Sequence, residues 1–352
     1  MSPWLPDEAS LHLHDREQLS RKLRISLVSA CNLACTFCHN EGQGSLTRLG
    51  LRESLRVEDY VRIVDAATSA GISEVKLTGG EPLLYRDGQR GLVDLVHELN
   101  RLRADRHFGL SMTTNGLLLP KVASELKEAG LDRVTVSLHT LNRATFKKVI
   151  GPNSRSAPEA AVRGIEAAIA AGLTPVKVNA VLFHNPSEVS NISELESIVA
   201  LCRGIGVTQL RFYTLLRHDA FVDHAELYQY WDDGLLGRIG TALYGDGPHA
   251  QRYKVTASAF VREWSRQLYP KPTLIARAGS FEIAIEAMEA GRFDGMGVSD
   301  EGPYALRLSA DGKLRGMNEE DTSTIDIIPL LSGLSNDTLR QAFEQGRRCL
   351  LP

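Results

Sequence analysis

The chain has 352 residues, with 40 Lys+Arg against 43 Asp+Glu, a formal net charge of −3, and 43% hydrophobic residues. That balance argues against a protein that coats nucleic acid or lies on anionic lipid, because both need an excess of positive charge. A chain of this length buries enough surface to fold without disulfide or metal staples.

Met1–Ser20 carries Asp7, Glu8, Asp15 and Glu17 and no apolar centre, so it does not read as a secretory signal. No later window approaches the ~20 apolar residues of a membrane span. From Leu23 to about Leu216, short β-branched runs alternate with longer amphipathic ones. The pattern predicts strands at Leu23–Val28, Glu74–Leu77, Gly109–Thr113, Arg133–Ser137, Val176–Leu182 and Gln209–Tyr213. It predicts helices at Val57–Ala70, Gly91–Arg103, Val122–Ala129, Pro158–Ala171 and Ser193–Ile205. Gly71, Gly130 and Gly172 fall where helices would end, the usual place for a left-handed residue.

Six such units imply a parallel sheet with crossover helices. Full closure takes eight, so the expected fold class is α/β, a partial (β/α)6 TIM-type barrel with its reactive groups past the C-terminal strand ends. Beyond Asp219 the rhythm breaks, and Val222–His249 has no clear pattern. Phe281–Ala290 reads as a short helix, Ala305–Leu308 and Leu314–Arg315 as a hairpin about an Asp-Gly turn, and Asn336–Arg347 as a helix capped by Ser335 or Asn336. The expected organisation is a polar segment over 1–20, the barrel over 21–220, and a C-terminal α+β extension over 221–352 that covers it.

The sharpest feature is Cys31-Asn-Leu-Ala-Cys35-Thr-Phe-Cys38, directly after the first strand. Five cysteines, three of them within eight residues, do not make a disulfide framework, and a cytoplasmic protein with ligand-binding thiols is expected. Three thiolates so spaced can hold three corners of an iron–sulfur cube and leave one iron open. A zinc site using His39 as fourth ligand, or three buried free cysteines, are the competing readings.

With Thr78-Gly79-Gly80-Glu81-Pro82 after the second strand, the cysteine loop resembles the radical S-adenosylmethionine (SAM) superfamily. The stretches Leu23–Ser26, Leu77–Leu84, Thr113–Leu119, Val136–Leu138 and Val176–Asn179 narrow the resemblance to the GTP 3′,8-cyclase group. What this implies is one [4Fe-4S] cluster on Cys31, Cys35 and Cys38, with SAM as its fourth ligand. An electron from a flavodoxin- or ferredoxin-type donor would then release a 5′-deoxyadenosyl radical that takes hydrogen from substrate. The resemblance implies SAM contacts at Phe37 (against the adenine), Gly79 and Gly80 (backbone near the methionine end), Glu81 (accepting from the ammonium), Ser137, Asn179 and Leu216. For Phe37 and Leu216, simple core packing is the rival reading. Arg24, Lys76, Thr113, Lys177 and Arg307 fall at positions that hold the nucleotide and its triphosphate in the cyclases.

The resemblance also implies a second cluster on three C-terminal cysteines, and here it fails. The frame Gly302–Met317 places Asp300, Pro303 and Met317 where those thiolates would stand. Cys202 reads as a core residue of a helix, and Cys349 lies three residues from Pro352. The expectation is therefore a lyase or carbon-skeleton-modifying enzyme of cyclase descent that takes a different small anionic nucleoside or sugar-nucleoside. Relatives of this kind in nucleoside-antibiotic pathways include a decarboxylase of cytosylglucuronic acid. The alternatives are a divergent GTP 3′,8-cyclase, a peptide-modifying radical enzyme and an iron–sulfur electron carrier. No nucleic-acid polymer or membrane is expected as a partner.

Overall fold

The structure, a computed structural model, describes residues 21–38, 55–151, 154–185, 189–214, 273–278, 280–286, 305–315, 324–333 and 335–349. All six expected strands form: β1 (Lys22–Ser26), β2 (Glu74–Thr78), β3 (Gly109–Thr114), β4 (Arg133–Ser137), β5 (Lys177–Leu182) and β6 (Gln209–Thr214). Each is parallel to the next. The helices between them are α1 (Val57–Ser69), α2 (Leu92–Leu102), α3 (Leu119–Ala129), α4 (Pro158–Ala170) and α5 (Leu195–Gly204). Helix α3 starts ahead of the expected Val122 because Pro120 sits in its first turn, where no backbone N–H is required. It ends at Gly130 with φ +107°. Helix α5 starts later than Ser193, after a tight turn at Ile192–Glu194.

One expectation is corrected: Phe281–Ala290 does not open as a helix. Phe281–Glu286 is a strand, β8, parallel to β6 and antiparallel to β7 (Thr273–Ala278). Its Phe-Glu-Ile-Ala-Ile-Glu sequence alternates with a period of two, and pairing on both sides outweighs the helix propensity of its Glu and Ala residues. At the opposite edge β9 (Ala305–Leu308) runs parallel to β1, followed by β10 (Lys313–Arg315) and β11 (Ile325–Asp326) in antiparallel steps. The β9–β10 turn has Gly312 at φ +79°, as the Asp-Gly pair predicts. The sheet order is β7-β8-β6-β5-β4-β3-β2-β1-β9-β10-β11, and no ladder joins β7 to β11 among the described residues. The barrel is thus open, with C-terminal strands on both of its edges. Met1–Ser20, His39, Leu216, Val222–His249, Asp300, Pro303 and Met317 lie outside the described residues.

The two faces of the sheet differ in chemistry. Leu23, Ile25, Val75, Leu77, Leu110, Met112, Val134, Val136, Val178, Ala180, Leu210 and Phe212 are buried in one core with the apolar faces of the helices. Residues alternating with them on the inner face are Lys22, Arg24, Lys76, Ser111, Thr113, Arg133, Thr135, Ser137, Lys177, Asn179, Gln209 and Arg211. A closed TIM barrel fills its interior with layers of branched apolar side chains. This lumen is polar, so it is built to take a ligand.

The final helix, α6 (Asp337–Cys349), closes the helical layer against α1. Ser335 Oγ accepts from the Asp337 amide at 3.1 Å and caps it. Arg62 of α1 donates to the carbonyls of Leu331 (2.6 Å) and Gly333 (2.7 Å) and to Asn336 Oδ1 (3.1 Å), while Asn336 returns a bond to Asp65 at 3.0 Å. Phe343 of α6 is fully buried in the main core. Phe343→Ala should therefore cost about 3–5 kcal/mol of folding stability, read as a lower urea midpoint. A loss under about 1 kcal/mol would make α6 a peripheral attachment.

Candidate functional site

The cysteine loop leaves β1 at its C-terminal end and is fixed to the far side of the barrel. Ala34 N–H donates to the Ile150 carbonyl (3.2 Å) and Thr36 N–H to that of Val149 (2.9 Å). Leu33 and Phe37 pack with Phe146, Val149, Ile150, Phe183 and Val189 in a second apolar cluster, with Cys31 and Cys35 against its edge. Burial, with the neighbouring charges of Glu81 and Cys38 adding to it, pushes the Cys31 thiol up to about 11. Burial together with the Cys38 and Cys31 charges raises Cys35 as well. Of the three interacting thiols, Cys31 and Cys35 lie against the apolar cluster while Cys38 is exposed; together they would be costly as bare thiolates and would be stabilised by a positively charged iron centre. Among the described residues no three His, Cys, Asp or Glu side chains meet closely enough to hold one metal ion. A single tetrahedral zinc needs such a meeting, whereas a cube takes its thiolates at separate corners. The donor set fits the cube.

Gly79-Gly80-Glu81 joins the loops of β1 and β2. The Gly80 amide donates to the Val28 carbonyl (2.7 Å) and the Glu81 amide to the Ala30 carbonyl (2.8 Å). A Cβ on Gly79, whose φ is +139°, would lie 2.5 Å from the Val28 oxygen, and one on Gly80 2.2 Å from that of Ala30. The glycines therefore permit the close approach of two loops of this chain. Glu81, expected at the SAM ammonium, is bonded within this chain. Its side chain has 0% exposure and accepts from Thr114 Oγ1 (2.7 Å), the Asn115 amide (2.8 Å) and the Leu83 amide (3.1 Å). Burial raises its pKa, against the lowering effect of those three donors. Asn115, to which the sequence reading gave no role, completes the circuit. Its Nδ2 donates to Asn32 Oδ1 (2.6 Å) and lies 3.8 Å from Cys31 Sγ.

Phe37 is 9% exposed, stacked on Phe183 at 5.9 Å and edge-on to His139 at 5.1 Å. The ring packs within the apolar cluster and anchors the loop. Ser137 and Asn179 stand opposite each other in register on the inner face. Asn179 Oδ1 is buried without a hydrogen-bond partner among the described residues. An orphaned acceptor of this kind costs about 1–3 kcal/mol until a ligand donor relieves it. Cys202 is fully buried in α5, where burial raises its thiol to about 12, in keeping with a core residue.

The cations expected at strand ends lie deeper. Lys76 and Lys177 line a cavity of about 180 Å³ together with Lys22, Glu74, Ser111, Arg133, Thr135, Gln209 and Arg211. Lys177 is the first residue of β5, while Lys76 and Arg24 are the middle residues of β2 and β1, so these groups run from the N-terminal strand ends to the middle of the lumen. The stagger of the sheet produces this placement, and spacing along the sequence does not show it. Arg307, Arg24 and Lys76 are register neighbours across β9, β1 and β2, and Arg315 stands opposite Arg307. Thr113, Thr135 and Lys177 form a parallel row. The cavity's carboxylate, Glu74, is paired with Arg133. Arg133, Arg211 and Arg315 were absent from the sequence reading; strand alternation alone would have flagged them.

An open parallel barrel with a three-cysteine loop at its mouth defines a class, and comparison bears it out. The chain belongs to the radical SAM superfamily, whose family model matches residues 25–195. Its cofactors are accordingly a [4Fe-4S] cluster and SAM. More narrowly, it is 32% identical over 319 residues to a probable GTP 3′,8-cyclase of Saccharolobus islandicus (strain M.14.25 / Kamchatka #1), covering 91% of this chain and 89% of that one. It is also 32% identical over 321 residues to a probable GTP 3′,8-cyclase of Thermoplasma volcanium, covering 88% and 87%. Streptococcus suis SuiB bound to S-adenosylmethionine matches with a TM-score of 0.55 and 17% identity, over 92% of this chain and 67% of that one. Native anSMEcpe with bound AdoMet matches at 0.52 and 14%, over 90% and 81%. At those identities the likeness is one of fold. No helix among the described residues is long and apolar enough to cross a membrane.

Two variants test the clasp. Gly80→Ala should leave the barrel folded by circular dichroism but lower iron retained after anaerobic reconstitution, because the β1 and β2 loops can no longer close. Retention at the wild-type level would show that the loop contact is dispensable. Glu81→Ala should lower stability by about 1–3 kcal/mol by leaving the Thr114 and Asn115 donors buried and unpaired, a shift readable in a denaturant titration.

Proposed function

We propose that this radical SAM enzyme abstracts hydrogen from a small anionic nucleoside or sugar-nucleoside, held with its anion in the lumen and its sugar toward the cysteine loop. The observation that carries this reading is the cation-rich cavity on the inner face, with Lys76, Lys177, Arg133 and Arg211 around a single ion-paired Glu74. Lys and Arg at fixed strand positions pair with carboxylate or phosphate, and Arg can do so through two bonds at once. When bound, the cluster and SAM supply a 5′-deoxyadenosyl radical. Cys31, Cys35 and Cys38 would hold the cluster, and Ser137 and Asn179 would contact SAM. Arg24, Lys76, Thr113, Lys177 and Arg307 would orient the substrate. The apolar cluster around Phe37 and Phe183 backs the loop on one side. A flavodoxin- or ferredoxin-type protein is the proposed electron donor.

Two substrates express the reading in different ways. A glycosyluronic acid such as cytosylglucuronic acid presents a carboxylate to the cations and loses carbon dioxide after hydrogen abstraction. It is favoured by Asp300, Pro303 and Met317 standing where the cyclases' second-cluster cysteines belong. GTP is the second reading, favoured by the names of the relatives at 32% identity. Loss of the base anchor should defeat cyclisation, since misplacement by about 1 Å already costs ~100-fold in rate.

Anaerobically reconstituted protein should contain about four irons per chain and, once reduced, convert SAM to 5′-deoxyadenosine, whereas Cys35→Ala should do neither. About eight irons would reveal a second cluster and restore the cyclase reading. Mass spectrometry of incubations with each substrate then decides between them: a cyclic GTP product overturns the divergence, and loss of carbon dioxide from cytosylglucuronic acid supports it.

A further inference from the structure

His139 continues the inner-face row of β4 (Arg133, Thr135, Ser137) two residues beyond the last strand residue. The alternation of partly exposed and buried positions runs unbroken through Ser137, Leu138 and His139. The ring therefore stands at the lumen mouth, above Ser137 and the orphaned Asn179, and edge-on to Phe37 of the cysteine loop at 5.1 Å.

Both ends of the residue are held. The Val181 amide donates to Nδ1 at 3.0 Å, and Asn191 Nδ2 donates to the His139 carbonyl at 2.7 Å. A backbone N–H can only donate, so Nδ1 must be the unprotonated nitrogen and the ring hydrogen resides on Nε2. Burial lowers the pKa to about 4, so the ring stays neutral and keeps that tautomer at physiological pH. Nε2–H is thus a fixed donor, and no hydrogen bond to it is formed among the described residues.

We propose that His139 is a positioning residue for SAM, donating from Nε2–H to an acceptor on the adenosyl half of the cofactor. The site pairs this donor with the acceptor Asn179 Oδ1 nearby on β5. A ligand that satisfies both must offer an acceptor and a donor a few ångströms apart, as the ring nitrogens, amine and ribose hydroxyls of an adenosyl group do. An anionic substrate group would instead be drawn to Lys76, Lys177 and Arg133 below this level, with Arg211 the register neighbour of Asn179. The inference rests on the SAM assignment above.

The test is equilibrium binding of labelled SAM to anaerobically reconstituted, unreduced holoenzyme, comparing wild type with His139→Ala and His139→Gln. Both variants lose the Val181 contact, but the glutamine amide can still place an N–H near the Nε2 position. Alanine should weaken SAM binding by about tenfold and glutamine should recover most of that loss, at unchanged iron content. Equal affinity in all three proteins, or an equal loss in both variants, would overturn the proposal. Failure of the wild-type holoenzyme to bind SAM would instead overturn the reading of the site itself.

Discussion

Two backbone hydrogen bonds, from the Gly80 and Glu81 amides to the Val28 and Ala30 carbonyls, join the loops of β1 and β2 beyond the edge of the sheet. They form only because Gly79 and Gly80 have no Cβ to strike the facing carbonyl oxygens. The Glu81 carboxylate extends the join to β3 through Thr114 and Asn115, and Asn115 returns to Asn32 and Cys31. Three strand ends thus become one hydrogen-bonded platform under the first cysteine. Glu81 contributes by satisfying buried donors, at the expense of burying its own carboxyl. The outer part of the loop is held differently, by two bonds to Val149 and Ile150 and by the Phe37 nest.

The platform has value because the lumen beneath it is not packed. Apolar residues on one face of every strand bind the helices, while Lys, Arg, Ser, Thr and Asn point inward. In a closed barrel such an interior would hold unsatisfied charge. Here the sheet is open and the C-terminal strands extend its edges, so the inner face stays available to a polar ligand. Radical chemistry requires two demands to be met at once: a dry, apolar setting around the cluster and a charged hold on the substrate. The apolar nest lies at the strands' C-terminal ends, and the cations run from the N-terminal ends of the strands to their middle.

This arrangement also accounts for the division of labour along the chain. Residues 25–195 carry the superfamily match and contain every cysteine of the loop. The C-terminal strands contribute Arg307 and Arg315 to the same row as Arg24 and Lys76. Substrate choice can therefore change in the C-terminal third while the radical-generating end stays as it is.

The sequence by itself determined the six parallel strands and the five helices between them, most of their ends, and the superfamily. These rest on local quantities: periodicity, a glycine at a helix end, three thiols within eight residues. It misassigned Phe281–Glu286, because a six-residue Glu- and Ala-bearing run takes its conformation from the strands beside it. It did not show the loop–loop contacts of Gly79, Gly80 and Glu81 or the ring contacts of Phe37, which only the tertiary structure brings together. Asn115 and His139 became visible only in three dimensions. Their roles depend on which strand lies alongside, at what stagger, and on whether a neighbouring amide uses one ring nitrogen. A one-dimensional pattern gives residue types and their intervals. The partners of a buried polar atom are fixed by packing between segments tens or hundreds of residues apart, and that packing decided how this site is built.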